Sequence, residues 1–242
     1  MIDTERPGPL VLLPGMNCSA RLWAGVTPIL ASLGVEVRHE ELRRRSVDDC
    51  VADLLTRLPP RFSLAGLSLG GIVAMALVRS APERVCGLAL LSTNPRPPTT
   101  TQLRSWGRDR DALRSGTLAR ELQAGLLPRL LSEQARSGPV AAEVLRMADD
   151  VGEKRLDDQL AMQASRVDER PGLALVRVPT LVLAGDADRM CPAHWHSEVA
   201  SLVPHADRAV LPGAGHLSPL EAPLEVGSYL AEWHPRLGGR QP

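Results

Sequence analysis

Aromatic residues and lysine are scarce in this chain of 242 residues. Four Trp, one Tyr and one Phe are too few for the stacking platforms that bind nucleobases. Every basic residue except Lys154 is an arginine, which leaves almost no lysine for Schiff-base chemistry. The 28 basic residues are balanced by 28 acidic ones, so no positive field favours a phosphate backbone. The composition therefore predicts that nucleic acid is not a partner.

Paired cysteines and long apolar runs are also missing. No two of the four cysteines have the C-x-x-C spacing of zinc ribbons or thioredoxin-type motifs, which argues against a metal site. Four scattered thiols in a chain of this length suit a reducing compartment. No stretch approaches the 18 apolar residues of a membrane span. Residues 1–6 carry Asp3 and Glu5 rather than the basic flank of a signal peptide. These absences predict a cytoplasmic protein without a membrane partner.

Short apolar runs alternate along the chain with longer amphipathic patterns. Several runs are apolar throughout, as expected of strands that are buried on both faces. They predict strands at Leu10–Leu13, 35–38, Phe62–Leu67, Val85–Leu91, 180–184 and 208–211. Amphipathic patterns predict helices at 21–32, 47–58, Leu69–Ser80 and Pro223–Trp233. This alternation predicts an α/β fold with a mostly parallel sheet of about six strands, flanked by helices.

Residues 93–178 interrupt this alternation. They contain no strand-like run, and they open with a proline-rich loop that must turn or extend. Amphipathic patterns predict helices at 117–131, 139–150 and 155–167. We interpret residues 93–178 as a helical insertion within a single domain of residues 1–242. The insertion either packs as extra helices on the sheet or forms a cap over a substrate pocket, and we favour the cap.

A nucleophile motif lies at the end of the third predicted strand. Gly66-Leu67-Ser68-Leu69-Gly70 matches G-x-S-x-G, a pattern that is weak by itself. Its context strengthens it, because an apolar strand precedes the serine and a helical run follows it. Such a turn exposes the serine hydroxyl at the carboxyl edge of the sheet, where side chains two residues away on either side would collide. Ser68 is therefore the candidate nucleophile.

A serine nucleophile needs a base and an acid that orients the base. Of the six histidines, only His216 lies in a glycine-containing loop directly after a predicted strand. Two acids, Asp186 and Asp188, follow the fifth predicted strand. The order Ser, acid, His is the one expected on this architecture. Spacing alone does not choose between the two aspartates, each of which could simply form a turn.

Other candidate residues have more ordinary interpretations. His194 and His196 resemble a metal pair, but residues two apart on a helix point to different faces, so a zinc site is disfavoured. Cys18 and Cys191 are best interpreted as small buried residues, although both could approach a pocket. Trp106 could line a pocket or pack in the insertion.

The motifs together resemble the α/β-hydrolase fold family. They are the elbow at residues 66–70, Gly185-x-x-Asp188, Gly213-x-Gly-His216 and Leu12-Leu13-Pro14-Gly15-Met16. The sequence looks closest to small cofactor-free carboxylesterases such as the pimeloyl-carrier-protein methyl ester esterases. The resemblance implies that Asp188 is the acid, and that the backbone amides of Met16 and Leu69 form the oxyanion hole. It also implies that no cofactor or metal is required.

The sequence therefore predicts a serine hydrolase that cleaves a carboxylic ester or thioester, free or bound to a carrier protein, through an acyl-enzyme. The aliphatic insertion favours a small apolar acyl group. An alternative keeps the triad for carbon–carbon bond hydrolysis, perhydrolysis or a biosynthetic tailoring step, because one scaffold supports many chemistries. A second alternative is a ligand-binding protein without turnover. Hydrolysis of a short p-nitrophenyl ester distinguishes this last alternative from an enzyme.

Overall fold

The computed structural model describes residues 8–203 and 205–234. Asp3 and Glu5 lie outside this part of the chain. The prediction of a cytoplasmic location rests partly on these two residues. The described residues contain six strands: β1 Leu10–Leu13, β2 Val37–His39, β3 Phe62–Leu67, β4 Val85–Leu91, β5 Thr180–Gly185 and β6 Asp207–Leu211. The strands form one sheet in the order β2-β1-β3-β4-β5-β6, and all neighbouring strands are parallel. The predicted sheet is confirmed.

Helices cover both faces of the sheet. Those that flank it are α1 Thr27–Ser32, α2 Val47–Arg57, α3 Leu69–Ser80, α7 Arg170–Leu173, α8 Ala193–Leu202, α9 Ser218–Glu221 and α10 Pro223–Trp233. Alternate residues of β1 belong to different cores, because successive side chains point to opposite faces of a strand. Val11 and Leu13 pack with α2 and α3, whereas Leu10 and Leu12 pack with α1 and α10. The core therefore has two layers, one on each side of the sheet.

Four α-helices lie between β4 and β5 in the described chain. One of them, α7, packs against α3 and α8. The other three are α4 Thr100–Arg114, α5 Ala119–Leu130 and α6 Pro139–Ser165, and we call these three the helical layer. α6 packs against both α4 and α5, and the layer has its own small core, formed by Leu113, Ala119, Val151, Leu156 and Leu160. The two helices predicted at 139–150 and 155–167 are the two halves of α6. They meet at Gly152, which is not helical, with φ of 71°.

One predicted element differs from the structure, and one observed helix was not predicted. The single helix predicted at 21–32 is wrong, because the segment forms a 3-10 helix, Ala20–Trp23, and then α1. Pro28 stands in the first turn of α1, where its missing N–H costs nothing. The helix α4 was not predicted, although Thr99 and Gln102 form a reciprocal capping box at its start. Within residues 8–203 and 205–234, no helix combines the length and apolar character that crossing a membrane requires.

Candidate active site

Ser68 occupies a strained turn between β3 and α3. Its φ is 54°, in a region that residues other than glycine rarely adopt. The Ser68 amide donates to the carbonyl of Leu91 at 2.9 Å, and the Thr93 hydroxyl donates to the Ser68 carbonyl at 2.8 Å. The two bonds tie the turn to β4 and to the segment that directly follows it. A strained backbone conformation that is held in place by neighbouring hydrogen bonds is typical of functional positions.

The two glycines of the elbow are required by close backbone approach. A Cβ atom on Gly66 would lie 2.4 Å from the carbonyl oxygen of Gly70. A Cβ atom on Gly70 would lie 2.3 Å from the carbonyl oxygen of Leu13, at the end of β1. The prediction that side chains would collide at these positions agrees with this geometry. The elbow therefore packs directly against the loop that follows β1.

Asp188 and His216 meet at the same edge of the sheet. The Nδ1 atom of His216 lies 3.1 Å from Oδ1 and 3.0 Å from Oδ2 of Asp188. The carboxylate also accepts hydrogen bonds from the amides of Met190 and Cys191, at 2.8 and 2.9 Å. Asp188 is 8% exposed and His216 is 3% exposed. The carboxylate thus fixes the imidazole ring through Nδ1, so that Nε2 is the nitrogen that could accept a proton.

Burial and charge act against each other in this pair. Burial opposes ionisation of Asp188, but the charge of His216 and the hydrogen bonds to the carboxylate outweigh it and lower the pKa of Asp188. Burial alone would lower the pKa of His216, but the adjacent carboxylate outweighs that effect and raises the pKa above the ordinary histidine value. The arrangement stabilises an imidazolium next to a carboxylate, as a general base requires after it has taken a proton.

Asp186 contacts the loop backbone instead of the His216 ring. Its Oδ1 accepts a hydrogen bond from the amide of Gly213 at 2.7 Å. Gly213 has φ of 74° and begins the loop that carries His216. Asp186 therefore supports the turn beneath the histidine and does not contact the ring through any hydrogen bond of the described structure. Geometry separates the two aspartates that spacing alone leaves equivalent.

Two backbone amides are candidates for an oxyanion hole. Leu69 is the first residue of α3, and the first amides of a helix have no partner within it. Met16 lies in the loop after β1, and Gly15, Met16 and Ser68 line the same cavity. The contacts that hold this loop were not predicted from the sequence. Asn17, with φ of 56° and 1% exposure, anchors the loop to the helical layer.

The Asn17 contacts link the loop to two helices. The backbone amide of Asn17 donates to Oε1 of Gln159 at 2.8 Å. Its side-chain nitrogen donates to the Ala119 carbonyl at 3.2 Å and to Oε1 of Gln123 at 2.9 Å. Here the helical layer supplies side-chain support for the loop. The one local signal in the sequence is the residue type, because asparagine tolerates a positive φ better than most residues do.

A cavity of about 290 Å³ separates the sheet edge from the helical layer. Ser68 and His216 line its sheet side, and Trp106, Leu126 and Arg166 line the opposite side. The cavity is also lined by Cys18 and Cys191, both buried, so their approach to a pocket and that of Trp106 are observed. The His216 amide donates to the Leu130 carbonyl at the end of α5, which joins the histidine loop to the layer.

The described residues offer one cluster with metal-ligand chemistry. Atoms of Asp188, Cys191 and His216 lie within 4.8 Å of one another. Nδ1 of His216 already pairs with Asp188, so a metal bound there would have to displace that hydrogen bond. The geometry favours an acid–base pair over a metal centre. His194 is exposed and His196 is buried with both ring nitrogens lacking partners in the described structure, so the two histidines face different surroundings.

The fold and the site together define a class. A strained nucleophile elbow, an acid after β5 and a histidine after β6 occur in the order seen in α/β-hydrolases. The model of the alpha/beta hydrolase family matches residues 10–227, and the chain belongs to that family. The resemblance and fold class predicted from the sequence are confirmed.

Particular relatives narrow the comparison. The chain is 30% identical to the pimeloyl-[acyl-carrier protein] methyl ester esterase of Nitrosomonas europaea, over 94% of this chain and 96% of that protein. It is 25% identical to a thermophilic esterase from Thermogutta terrifontis solved with malate bound, with a TM-score of 0.86 over 97% of this chain and 92% of that one. The enol-lactonase of Burkholderia xenovorans shares the fold, with a TM-score of 0.81 and 20% identity over 93% and 90% of the two chains.

Proposed function

We propose that this α/β-hydrolase is a serine esterase that cleaves a small carboxylic ester, or a thioester, through an acyl-enzyme. Ser68 is the nucleophile, His216 the general base and Asp188 the acid that orients it. The observation that carries the proposal is the buried pairing of His216 Nδ1 with both Asp188 oxygens, in a cavity that Ser68 also lines. The esterase names of relatives with up to 32% identity support it.

The proposed reaction begins with attack of the Ser68 oxygen on the ester carbonyl. His216 takes the serine proton at Nε2 and then gives it to the departing alcohol, so that the acyl group remains on Ser68. Water, deprotonated by the same nitrogen, then releases the acid and restores the serine. Asp188 holds the ring in the tautomer that presents Nε2 as the base, and it stabilises the imidazolium.

The amides of Leu69 and Met16 are proposed to stabilise the oxyanion. Each such donor contributes about 3 kcal/mol in comparable sites. The position of Leu69 at the start of α3 adds the positive end of a helix dipole. The Asn17 contacts with Gln159 and Gln123 would keep the Met16 amide in place as the transition state forms.

The helical layer is proposed to act as a cap within a single hydrolase domain. It faces Ser68 across the cavity, and the size of this cavity suits a small acyl group. Leu126 and Leu130 from α5, together with Ile72 and Leu217, provide an apolar stretch for an aliphatic chain. The names of the methyl ester esterases suggest that such a chain could also arrive attached to a carrier protein.

Steady-state hydrolysis of p-nitrophenyl acetate and butyrate tests the proposal. The wild-type protein is expected to turn over at least one of them, and Ser68→Ala is expected to lower kcat at least about a thousandfold. Ser105→Ala is the matched control, because Ser105 lines the same cavity but has no catalytic role in the proposal. Absence of wild-type turnover on these esters and on a thioester panel would favour a binding protein.

A further inference from the structure

Arg166 is a buried cation in the wall of the active-site cavity. It directly follows α6, it is 6% exposed, and it lines the cavity together with Ser68 and His216. Its guanidinium lies 5.2 Å from the centre of the Trp106 ring. This stacking and the burial orient the charged plane, as a site for a planar anion requires.

No carboxylate of the described structure neutralises Arg166. Its Nη1 and Nη2 atoms donate to the neutral amide oxygens of Gln163 and Gln102, at 3.0 and 2.9 Å. Its Nε atom is buried without a hydrogen-bond partner in the described residues. Nearby acids are committed elsewhere, since Asp168 pairs with Arg170 and Glu169 with Arg79. A buried charge that lacks a counter-ion is costly, so the fold carries a cation whose partner comes from outside.

The rest of the cavity wall in the described chain is neutral or cationic. Arg129 lines it as well, and neither Asp nor Glu is among its lining residues in the described chain. Burial lowers the pKa of Arg166 to about 10, which leaves the side chain charged at neutral pH. The neutral amides of Gln102, Gln123 and Gln163 add polar contacts without adding charge. The cavity therefore attracts an anion, and it has an apolar stretch beside the cationic one.

We infer that the substrate of the proposed esterase carries a carboxylate, bound by Arg166, beside the ester that Ser68 attacks. The substrate class is a half-ester of a small dicarboxylic acid, or an ester whose alcohol part bears the carboxylate. A guanidinium with free donors matches a carboxylate in geometry and charge. This inference rests on the proposed function, and it adds a carboxylate, on the acyl or the alcohol side, to the small apolar ester expected from the sequence.

Matched ester pairs test the inference and locate the charge. Monomethyl adipate is compared with methyl hexanoate for a carboxylate on the acyl side, and carboxymethyl hexanoate with ethyl hexanoate for one on the alcohol side. The measured quantity is the ratio of kcat/KM for the charged ester to that for its neutral partner. We expect a ratio above one in at least one pair, and the pair that shows it identifies the side.

Variants of Arg166 separate anion binding from structural support. Arg166→Met is expected to lower the ratio about tenfold or more, because a hydrogen-bonded charge contact is lost, while cleavage of the neutral ester changes little. Arg166→Lys keeps the charge and should retain part of the ratio. Arg104→Met is the control, since Arg104 is exposed on α4 and does not line the cavity. An equal loss on charged and neutral esters would indicate only a clamp between α4 and α6 and would overturn the inference.

A binding measurement covers the case in which Arg166→Met does not fold. Titration calorimetry of the Ser68→Ala protein with unreacted monomethyl adipate and methyl hexanoate, or with the alcohol-side pair, needs no change at Arg166. Binding of a charged ester about tenfold tighter than its neutral partner supports the inference, and equal binding in both pairs overturns it. If the proposed esterase function is wrong, the wild-type protein would turn over none of the esters, and the binding preference could still be measured.

Discussion

Asp186 and Asp188 stand two residues apart and serve different partners. Asp188 is buried against the His216 ring, whereas Asp186 holds the amide of Gly213 at the start of the histidine loop. The difference comes from the turn after β5, which directs one carboxylate toward the ring and the other toward the loop backbone. The catalytic role proposed for Asp188 thus follows from its contact with the ring and not from its residue type.

The first prediction compares these two residues. Asp188→Asn is expected to lower kcat about a thousandfold or more, because the ring loses the partner that fixes its tautomer and stabilises its charge. Asp186→Asn keeps an oxygen that can accept from Gly213, so its loss should be about tenfold at most. Steady-state kinetics, with circular dichroism to verify folding, measure both. A larger loss in Asp186→Asn would move the role of the acid to Asp186.

The second prediction concerns pH. Only neutral His216 can accept a proton, so kcat/KM should rise as pH increases through the pKa of His216. Asp188 raises that pKa, and the Cys191 side chain beside the ring acts in the same direction. Removing the carboxylate in Asp188→Asn lowers the pKa and should move the rising limb to lower pH, even as the plateau falls. An unchanged limb would show that another group controls it.

At the scale of elements, the helical layer depends on backbone conformation at its glycines. Gly107 lies exposed in the middle of α4, and an added Cβ would meet nothing within 4 Å. Gly152 also has open space around it, but its φ of 71° interrupts α6. The two positions therefore differ in conformation and not in crowding. The break at Gly152 lets the two halves of α6 take different directions.

The third prediction uses this pair. Gly107→Ala should raise the free energy of unfolding by about 0.5–1 kcal/mol, since glycine loses more conformational entropy in a helix than alanine does. Gly152→Ala should lower it by about 1 kcal/mol, because alanine resists a positive φ. Urea unfolding at equilibrium measures both. Changes of the same sign in the two variants would contradict the account of the break in α6.

The elements that were predictable are those with an unambiguous local signal. The apolar runs of β3 and β4 and the elbow at Ser68 depend on residues adjacent in sequence, so their pattern is visible in the chain. Arg166 was not predictable, because nothing local distinguishes a buried arginine from the many at the surface. Its burial depends on Trp106, far away along the chain. The Asn17 contacts were missed for the same reason, since they join residues more than 100 positions apart.

At the scale of the whole molecule, the cavity is a joint product of the sheet edge and the helical layer. The sheet contributes Ser68 and His216, while the layer contributes Leu126 and Arg166. The layer also contacts two loops of the proposed site, through Asn17 after β1 and through the Leu130 carbonyl, which accepts from the His216 amide. The proposed function therefore assigns reactivity and selectivity to different parts of the chain that meet at one cavity.

The fourth prediction tests this division. Leu126→Phe narrows the cavity from the layer side, and it should lower kcat/KM for p-nitrophenyl hexanoate about tenfold while changing that for p-nitrophenyl acetate less than about threefold. Leu118→Phe is the matched control, because Leu118 is 50% exposed and does not line the cavity. Equal losses on both esters in Leu126→Phe would mean that the layer controls the reacting groups themselves.

The central claim is that Ser68 is the nucleophile of a serine hydrolase. Labelling with a fluorophosphonate, followed by intact-mass and peptide mass spectrometry, tests it most directly because only an activated serine reacts readily with this reagent. We expect one adduct per chain, located on Ser68, its absence in Ser68→Ala and its retention in Ser105→Ala. Undiminished labelling of Ser68→Ala, or an adduct mapped to another serine in the wild-type protein, would show that Ser68 is not the nucleophile.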